Sequence, residues 1–262
     1  MSRDVRRVEL FGCPFDAVTE AETLDLVLDW RNHPGRRTHT VVTINVAILM
    51  MMRSNRKLAE AVKKADLVVV DGTPLVWASS WLGTPLPERV SGVDLMQRLL
   101  QVGARHHLRV FLLGTTQQRL DTLIAAIDQQ YPGVSVVGAR NGYFTMSEYP
   151  EVTRQIRDSR PDLLLVGMPA PFKEIWCEEQ RTSLQVPAVL GVGGAFDVVA
   201  GFVSRAPKMM QSIGLEWLWR LVMEPRKLWK RYLVSNSQFI GLLARAMIAR
   251  TLAKKTAGYA DR

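Results

Sequence analysis

The stretch ADLVVVDGTPLVWAS, residues 65–79, places an apolar run directly before a carboxylate and a glycine. A short apolar run rich in β-branched residues and bounded by a turn is typical of a strand buried on both faces. Asp71 and Gly72 would then stand where that strand ends and the chain turns toward a helix.

Five further runs have the same character, and helical patterns separate them. They are THTVVTI (38–44), LRVFLLG (108–114), VSVVGA (134–139), PDLLLVGM (161–168) and VPAVLGVG (186–193). This alternation predicts an α/β fold with a parallel sheet covered by helices on both faces.

The opening RVELFGCPFDAV (7–18) could be a hairpin or an edge strand. Helix-capping chemistry is predicted at Thr19 with Glu22, at Ser91 and at Ser147.

The formal charge of +9 on this 262-residue chain is unevenly distributed. Residues 202–262 hold twelve Lys and Arg against three Asp and Glu, so they carry the whole excess, and residues 1–201 are neutral. We therefore expect two domains, a sheet-containing body (1–201) and a basic helical appendage (202–262). A basic segment suggests contact with phosphates of a membrane, a nucleic acid or a nucleotide. The neutral body argues against a nucleic-acid binder.

The cysteines and the hydropathy pattern indicate in which cellular compartment the protein works. Cys13 and Cys177 are far apart and have no neighbouring cluster, so neither a disulfide framework nor a metal site is expected. No secretory signal precedes the first strand. The longest apolar stretches fall short of the roughly 20 residues that span a bilayer. We expect a cytoplasmic protein, peripheral on the membrane.

The appendage interleaves tryptophans with basic residues and predicts helices broken near Pro225. Three interpretations stay open: a dimerisation helix pair, which leaves homo-oligomerisation open, a membrane-surface anchor, or a lid over a nucleotide. Aromatic residues among cations favour the membrane surface.

Ligands of open parallel sheets bind beyond the carboxyl ends of the strands. Candidates at those ends are Thr43, Asn45, Asp71, Gly72, Arg89, Asp94, Gly193, Gly194 and Asp197. Ordinary structural roles are also possible at these positions. Asn45 can cap a helix, the Asp71 carboxylate can accept hydrogen bonds from the amides of its own turn, and Arg89 can be a solvated surface charge. The glycine-rich loop can be a tight turn, with Asp197 complementing the helix dipole.

In order and spacing, residues 43–96, NGYF (141–144), GVGGAFDVVAG (191–201) and residues 205–233 resemble the bacterial WecG/TagA/CpsF glycosyltransferase family. The resemblance covers roughly residues 8–240. It implies a Rossmann-like sheet and an inverting, metal-independent transferase without cofactor. Such an enzyme moves a sugar from a UDP-sugar, with N-acetylmannosamine or glucose as the sugar, to a polyprenyl-diphosphate-linked acceptor. The reaction takes place at the inner face of the cytoplasmic membrane and serves cell-surface polysaccharide synthesis.

The resemblance also implies roles for single residues. Asp71 would be the general base, with Gly72 letting the backbone turn away, and Arg89 would face the diphosphate. The remaining predicted contacts with donor or acceptor are Thr43, Asn45, Asp94, Tyr143, Gly193, Gly194, Asp197, Arg220, Lys227 and Lys230.

One loop departs from the family pattern. Where the family has Gly-x-Pro-x-Gln-Glu, the chain has GMPAPFKE (167–174), with Pro171 and Phe172 at the Gln and Glu positions. A different donor, a contact shifted to Lys173 or Glu174, or loss of activity would each follow. The alternative function is thus a catalytically silent nucleotide-binding or scaffold protein. A nicotinamide oxidoreductase is disfavoured, because no G-x-G-x-x-G opens the first βα unit.

Overall fold

The structure, a computed structural model, describes residues 5–32 and 37–260, apart from the side chains of Ser212, Lys227 and residues 254–260. The chain opens with an antiparallel hairpin of β1 (Arg7–Leu10) and β2 (Cys13–Asp16). Its two-residue turn has Phe11 at φ 55° and Gly12 at φ 81°. Positive φ at both positions matches the right-handed twist of the paired strands. The Asp16 carboxylate accepts the Val68 amide at 2.7 Å and fixes the hairpin to the sheet.

All six apolar runs form strands of one parallel sheet, in the order β4-β3-β8-β7-β5-β6. The strands are β3 (His39–Ile44), β4 (Leu67–Val70), β5 (Arg109–Gly114), β6 (Ser135–Arg140), β7 (Leu163–Gly167) and β8 (Ala188–Gly191). Because β3 and β4 are parallel neighbours, with Ile44 opposite Val70, their carboxyl ends lie side by side.

Helices follow the strands in the predicted alternation. In chain order they are α1 (Glu20–Asn32), α2 (Val46–Met52), α3 (Arg56–Lys64), α4 (Thr73–Trp81), α5 (Gly92–Arg105), α6 (Gln117–Gln130), α7 (Tyr149–Asp158), α8 (Phe172–Leu184), α9 (Ala195–Val199), α10 (Lys208–Ser212), α11 (Glu216–Met223) and α12 (Pro225–Ala260). A 3₁₀ turn, Met146–Glu148, precedes α7.

Each strand contributes alternate residues to opposite faces of the sheet. Leu67 and Val69 of β4 enter one apolar cluster with α1, α5, α6 and α9, whereas Val68 and Val70 enter another with α2, α3 and α4. A third cluster packs α7 and α8 on the second face. Side chains of a strand alternate with period two, so an all-apolar strand fits only a sheet covered on both sides. The predicted Rossmann-like α/β class is confirmed.

The appendage is helical and packs along the body. Phe239 of α12 is buried in the α2 cluster, and its ring meets Phe11 of the hairpin edge-on at 5.8 Å. Farther along α12, Arg250 donates to the Trp81 carbonyl at the end of α4. None of the helices in the described part of the chain combines the length and apolar character needed to cross a membrane.

Candidate functional site

A cavity of about 320 Å³ lies at the carboxyl ends of β3 and β4, and α11 and α12 of the appendage close it. Its polar lining comes from strand ends, the start of α4, the loop before α5 and the appendage: Asn45, Asp71, Thr73, Arg89, Ser91, Glu216, Arg220, Tyr232 and Asn236. Body and appendage therefore build one site together.

Asp71 follows β4 directly and faces this cavity. Its amide donates to the Ile44 carbonyl at 2.8 Å, so the backbone is still held by β3 where the carboxylate leaves the sheet. Burial raises the pKa of Asp71 above its ordinary value, and the charge of Glu216 adds to this. Arg89, the Gly92 amide and Arg220 oppose the shift without cancelling it. The result is a carboxyl group that binds a proton more tightly than a solvated aspartate does.

Gly72 lines the cavity next to Asp71, but it does not act through a special turn. Its φ of 167° is extended backbone open to any residue, and an added Cβ would meet nothing nearer than 4.0 Å. The conformational reason expected for this glycine is therefore wrong.

Arg89 is held by carboxylates from two elements. Its guanidinium donates to Glu216 of α11 and, at 3.2 Å, to Asp94 in the first turn of α5. Burial lowers the pKa of Arg89, but the Glu216 hydrogen bond and the surrounding negative charges outweigh it and raise the pKa overall. Arg205 also pairs with Asp94. Asp94 does not line the cavity and instead orients the two arginines.

Arg220 lies both against the glycine-rich loop and in the cavity wall. A Cβ added at Gly194 would lie 2.6 Å from the Arg220 Nη2, so only glycine leaves the guanidinium its present place. Within the described residues, no carboxylate lies within ion-pair distance of Arg220. Arg220 is thus a second cation that lines the cavity, and its charge acts on Asp71 without a direct ion pair.

Asn45 and Thr43 end β3 in different ways. The Asn45 Oδ1 accepts the Ile48 amide at 3.1 Å and caps α2, while the residue also lines the cavity. Capping and a site position thus coexist. Thr43 is buried and donates to the Gly191 carbonyl at 3.3 Å, behind the cavity wall.

Other predicted contacts lie away from the cavity. Tyr143 follows β6 on the far edge of the sheet and is 74% exposed. Asp197 pairs with Arg119 of α6 at 2.6 Å. Gly193 precedes Gly194 at φ 53°, and Lys230 is exposed on α12. The Lys227 side chain lies outside the described residues.

Residues 167–174, which differ from the family pattern, have their polar side chains outside the cavity. Pro171 precedes α8, and Phe172 joins an aromatic group with Phe144 and Tyr149. Lys173 and Glu174 form a buried ion pair beneath β8. None of these residues lines the cavity.

Several lining residues were not predicted: Trp77, Trp81, Glu216, Trp217, Tyr232 and Asn236. Glu216 could have been singled out from the sequence, because it is one of only three acidic residues in the strongly basic segment 202–262. Burial also raises the pKa of Tyr232, whose ring meets Trp217 edge-on at 6.0 Å.

The site can thus present a proton acceptor and two guanidinium groups to one ligand, and paired guanidiniums are suited to phosphate oxygens. No group of three or more His, Cys, Asp or Glu side chains in the described ranges is placed to hold a metal ion.

Comparison with known proteins agrees with this geometry. The family profile described as "Glycosyl transferase WecG/TagA/CpsF family" matches residues 8–253. An N-acetylglucosaminyldiphosphoundecaprenol N-acetyl-beta-D-mannosaminyltransferase of Staphylococcus aureus strain MW2 is 30% identical over 225 residues, 86% of each chain. The protein of the same name from strain NCTC 8325 / PS 47 is 29% identical over the same coverage. The chain therefore belongs to the WecG/TagA/CpsF family of glycosyltransferases.

Proposed function

We propose that the protein is an inverting glycosyltransferase that moves a sugar from a UDP-sugar to a polyprenyl-diphosphate-linked acceptor in cell-surface polysaccharide synthesis. The observation that carries this proposal is the position of Asp71, a half-buried carboxyl with raised pKa that lines one cavity together with Arg89 and Arg220.

Asp71 acts as the general base. A sugar hydroxyl is a weak nucleophile, so a carboxylate must accept its proton as the oxygen attacks the anomeric carbon. A new bond then forms from that oxygen to the anomeric carbon, and the bond from the same carbon to the diphosphate oxygen breaks, with inversion. General-base assistance of this kind typically contributes about 10²- to 10⁴-fold to the rate. The raised pKa makes the Asp71 carboxylate a stronger base than a solvated one.

The leaving UDP is stabilised by cations rather than by a metal. Arg89 and Arg220 both line the cavity, and the charges of both act on Asp71. Preorganised charges in a partly buried site stabilise developing charge more than solvated ones do. Lys230 does not line the cavity, so we assign the departing diphosphate to the two arginines.

The relatives' names suggest the substrates. These proteins are named for transfer of N-acetylmannosamine to N-acetylglucosaminyl-diphosphoundecaprenol. We extend the acceptor class to this chain and keep UDP-N-acetylmannosamine and UDP-glucose as donors. Residues 171–174 of the altered loop do not line the cavity, so they do not decide between these donors.

Residues 202–262 would be the membrane-associating appendage. Trp229, Leu233, Ile240 and Met247 of α12 are exposed and spaced by four and seven residues, so they share one face of the helix. An apolar stripe among basic residues is suited to the surface of an anionic membrane. This arrangement supports a peripheral location at the inner face of the cytoplasmic membrane.

The test is UDP release from a panel of UDP-sugars with detergent-solubilised polyprenyl-diphosphate sugars as acceptors. Asp71→Asn should lower acceptor-dependent turnover by about 10²-fold or more. Asp121→Asn, which changes an exposed aspartate on α6, is the matched control and should keep full turnover. Activity that persists in EDTA would support the absence of a catalytic metal. UDP binding without turnover of any donor would instead indicate the silent nucleotide-binding alternative.

A further inference from the structure

We propose that the apolar wall of the cavity is a subsite for the polyprenyl chain of the acceptor. This inference rests on the proposed function and adds to it the place where the lipid leaves the reaction centre. We refer to Trp77, Trp81, Phe239, Ile240 and Leu243 as the apolar wall.

The apolar wall is built by α4 of the body and α12 of the appendage. The rings of Trp77 and Trp81 are stacked, with centroids 6.4 Å apart, and the two residues are 43% and 53% exposed. Ile240 is 64% exposed although it lines the cavity. Large apolar side chains that stay open beside a polar site mark a surface that binds a ligand.

Hydrocarbon fits this wall better than a sugar does. Tryptophan rings can stack on sugars, but a sugar also requires hydrogen-bond partners for its hydroxyl groups. The side chains of Phe239, Ile240 and Leu243 offer no such partners, so sugar hydroxyls packed on them would lose bonds to water without replacement. An isoprenoid chain has no polar groups to satisfy, and each buried CH₂ group favours binding.

The apolar wall continues into the exposed stripe of α12. Ile240 belongs to both, because it lines the cavity and lies on the same helix face as Leu233 and Met247. A lipid could therefore reach the cavity from the membrane along this apolar face of α12. The acceptor's sugar-diphosphate would then lie between this wall and Asp71, so the lipid would help to orient the attacking hydroxyl.

The experiment compares two acceptors with the same sugar-diphosphate head, one with a full-length polyprenyl chain and one with a short isoprenyl chain. Trp81→Ala should raise the KM for the long-chain acceptor roughly tenfold. The KM values for the short-chain acceptor and for the donor should stay unchanged. Val234→Ala, an exposed α12 position outside the wall and the stripe, is the matched control. Unfolding temperatures of both variants check the fold.

An equal rise in KM for both acceptors would overturn the inference, because the tryptophan would then act on the sugar head. Unchanged KM values for both would overturn it as well. A second readout does not depend on turnover: binding of polyprenyl diphosphate in detergent micelles. Trp81→Ala should weaken binding of the long chain roughly tenfold and leave that of a short isoprenyl diphosphate unchanged. Long-chain binding by the wild type without turnover would contradict the proposed function while supporting the lipid subsite; equal binding by wild type and variant would contradict the subsite.

Discussion

Gly194→Ala tests whether the glycine-rich loop serves to position Arg220. Gly194 has φ −78° and ψ 9°, a backbone conformation that alanine adopts without strain. The new Cβ would lie 2.6 Å from the Arg220 Nη2, and ordinary contact begins at 3.4 Å, so the guanidinium must retreat by about 0.8 Å. A misplacement of roughly 1 Å in a catalytic constellation can cost about 10²-fold in rate.

We therefore expect kcat/KM for the UDP-sugar to fall between about tenfold and 10²-fold, or ~1.4–2.7 kcal/mol of transition-state stabilisation. Initial-rate measurements of UDP release over a range of donor concentrations give this value. Gly241→Ala is the control, since a Cβ there meets nothing within 4 Å. Its kcat/KM should match that of the wild type.

A double-mutant cycle decides whether the effect passes through Arg220. In an Arg220→Ala background no guanidinium remains to be displaced, so adding Gly194→Ala should cost little more. If Gly194→Ala lowers kcat/KM equally in both backgrounds, the loop acts independently of Arg220 and our reasoning fails. An unchanged kcat/KM in the single variant would refute it directly.

Three further changes probe the site and its closure. Burial raises the pKa of Asp71 in the folded state above its value in the unfolded state. Protonated Asp71 therefore makes its full contribution to the free energy of unfolding below the unfolded-state pKa. This contribution is lost as the pH rises through the folded-state pKa. Asp71→Asn should therefore raise the Tm at neutral pH, with the difference gone by about pH 4; equal differences at both pH values would contradict this. Glu216→Gln removes a charge that raises the pKa of Asp71 and a partner of Arg89, so the acidic limb of the kcat/KM profile should move to lower pH. A limb that stays in place would argue against Asp71 as the base. Phe239→Ala should lower the free energy of unfolding, measured in urea, by about 3–5 kcal/mol, because the ring is buried against α2 and Phe11. A loss below ~1 kcal/mol would mean that Phe239 does not anchor α12 to α2 and the hairpin.

Local chemistry allowed much of the body to be predicted. The six strands are short apolar runs bounded by turn residues, and their parallel order places Asn45 and Asp71 at one edge. Thr19 and Glu22 form the predicted reciprocal capping pair. Ser91 precedes α5 as expected but makes no capping bond. The box near Ser147 is made by Thr145 with Glu148 instead.

The rest of the site depends on contacts between distant parts of the chain. Helical periodicity shows that α12 has an apolar face, but it does not show that this face meets α2. Trp77 and Glu216 therefore could not be assigned to one cavity from local patterns. Tyr143 was placed near the nucleotide by resemblance alone, and the strand order puts it at the opposite edge of the sheet.

A loop position shows a similar limit. Thr115, which directly follows β5, adopts φ 50° in the left-handed region. An L-residue there carries a steric cost that glycine avoids. Threonine gives no local signal for such a conformation, so the sequence alone did not predict it.

The division of the cavity between body and appendage has a consequence during synthesis. Strand β8 ends at Gly191, whereas the last polar residue of the cavity, Asn236, lies 45 positions later. Chains fold from the amino terminus as they leave the ribosome. A nascent chain can therefore complete its sheet, and expose Asp71 at the edge, well before the appendage arrives to close the cavity. Under the proposed function, transfer would begin only after residues 202–262 have been made, so an unfinished chain would not consume donor before its membrane-associating segment exists.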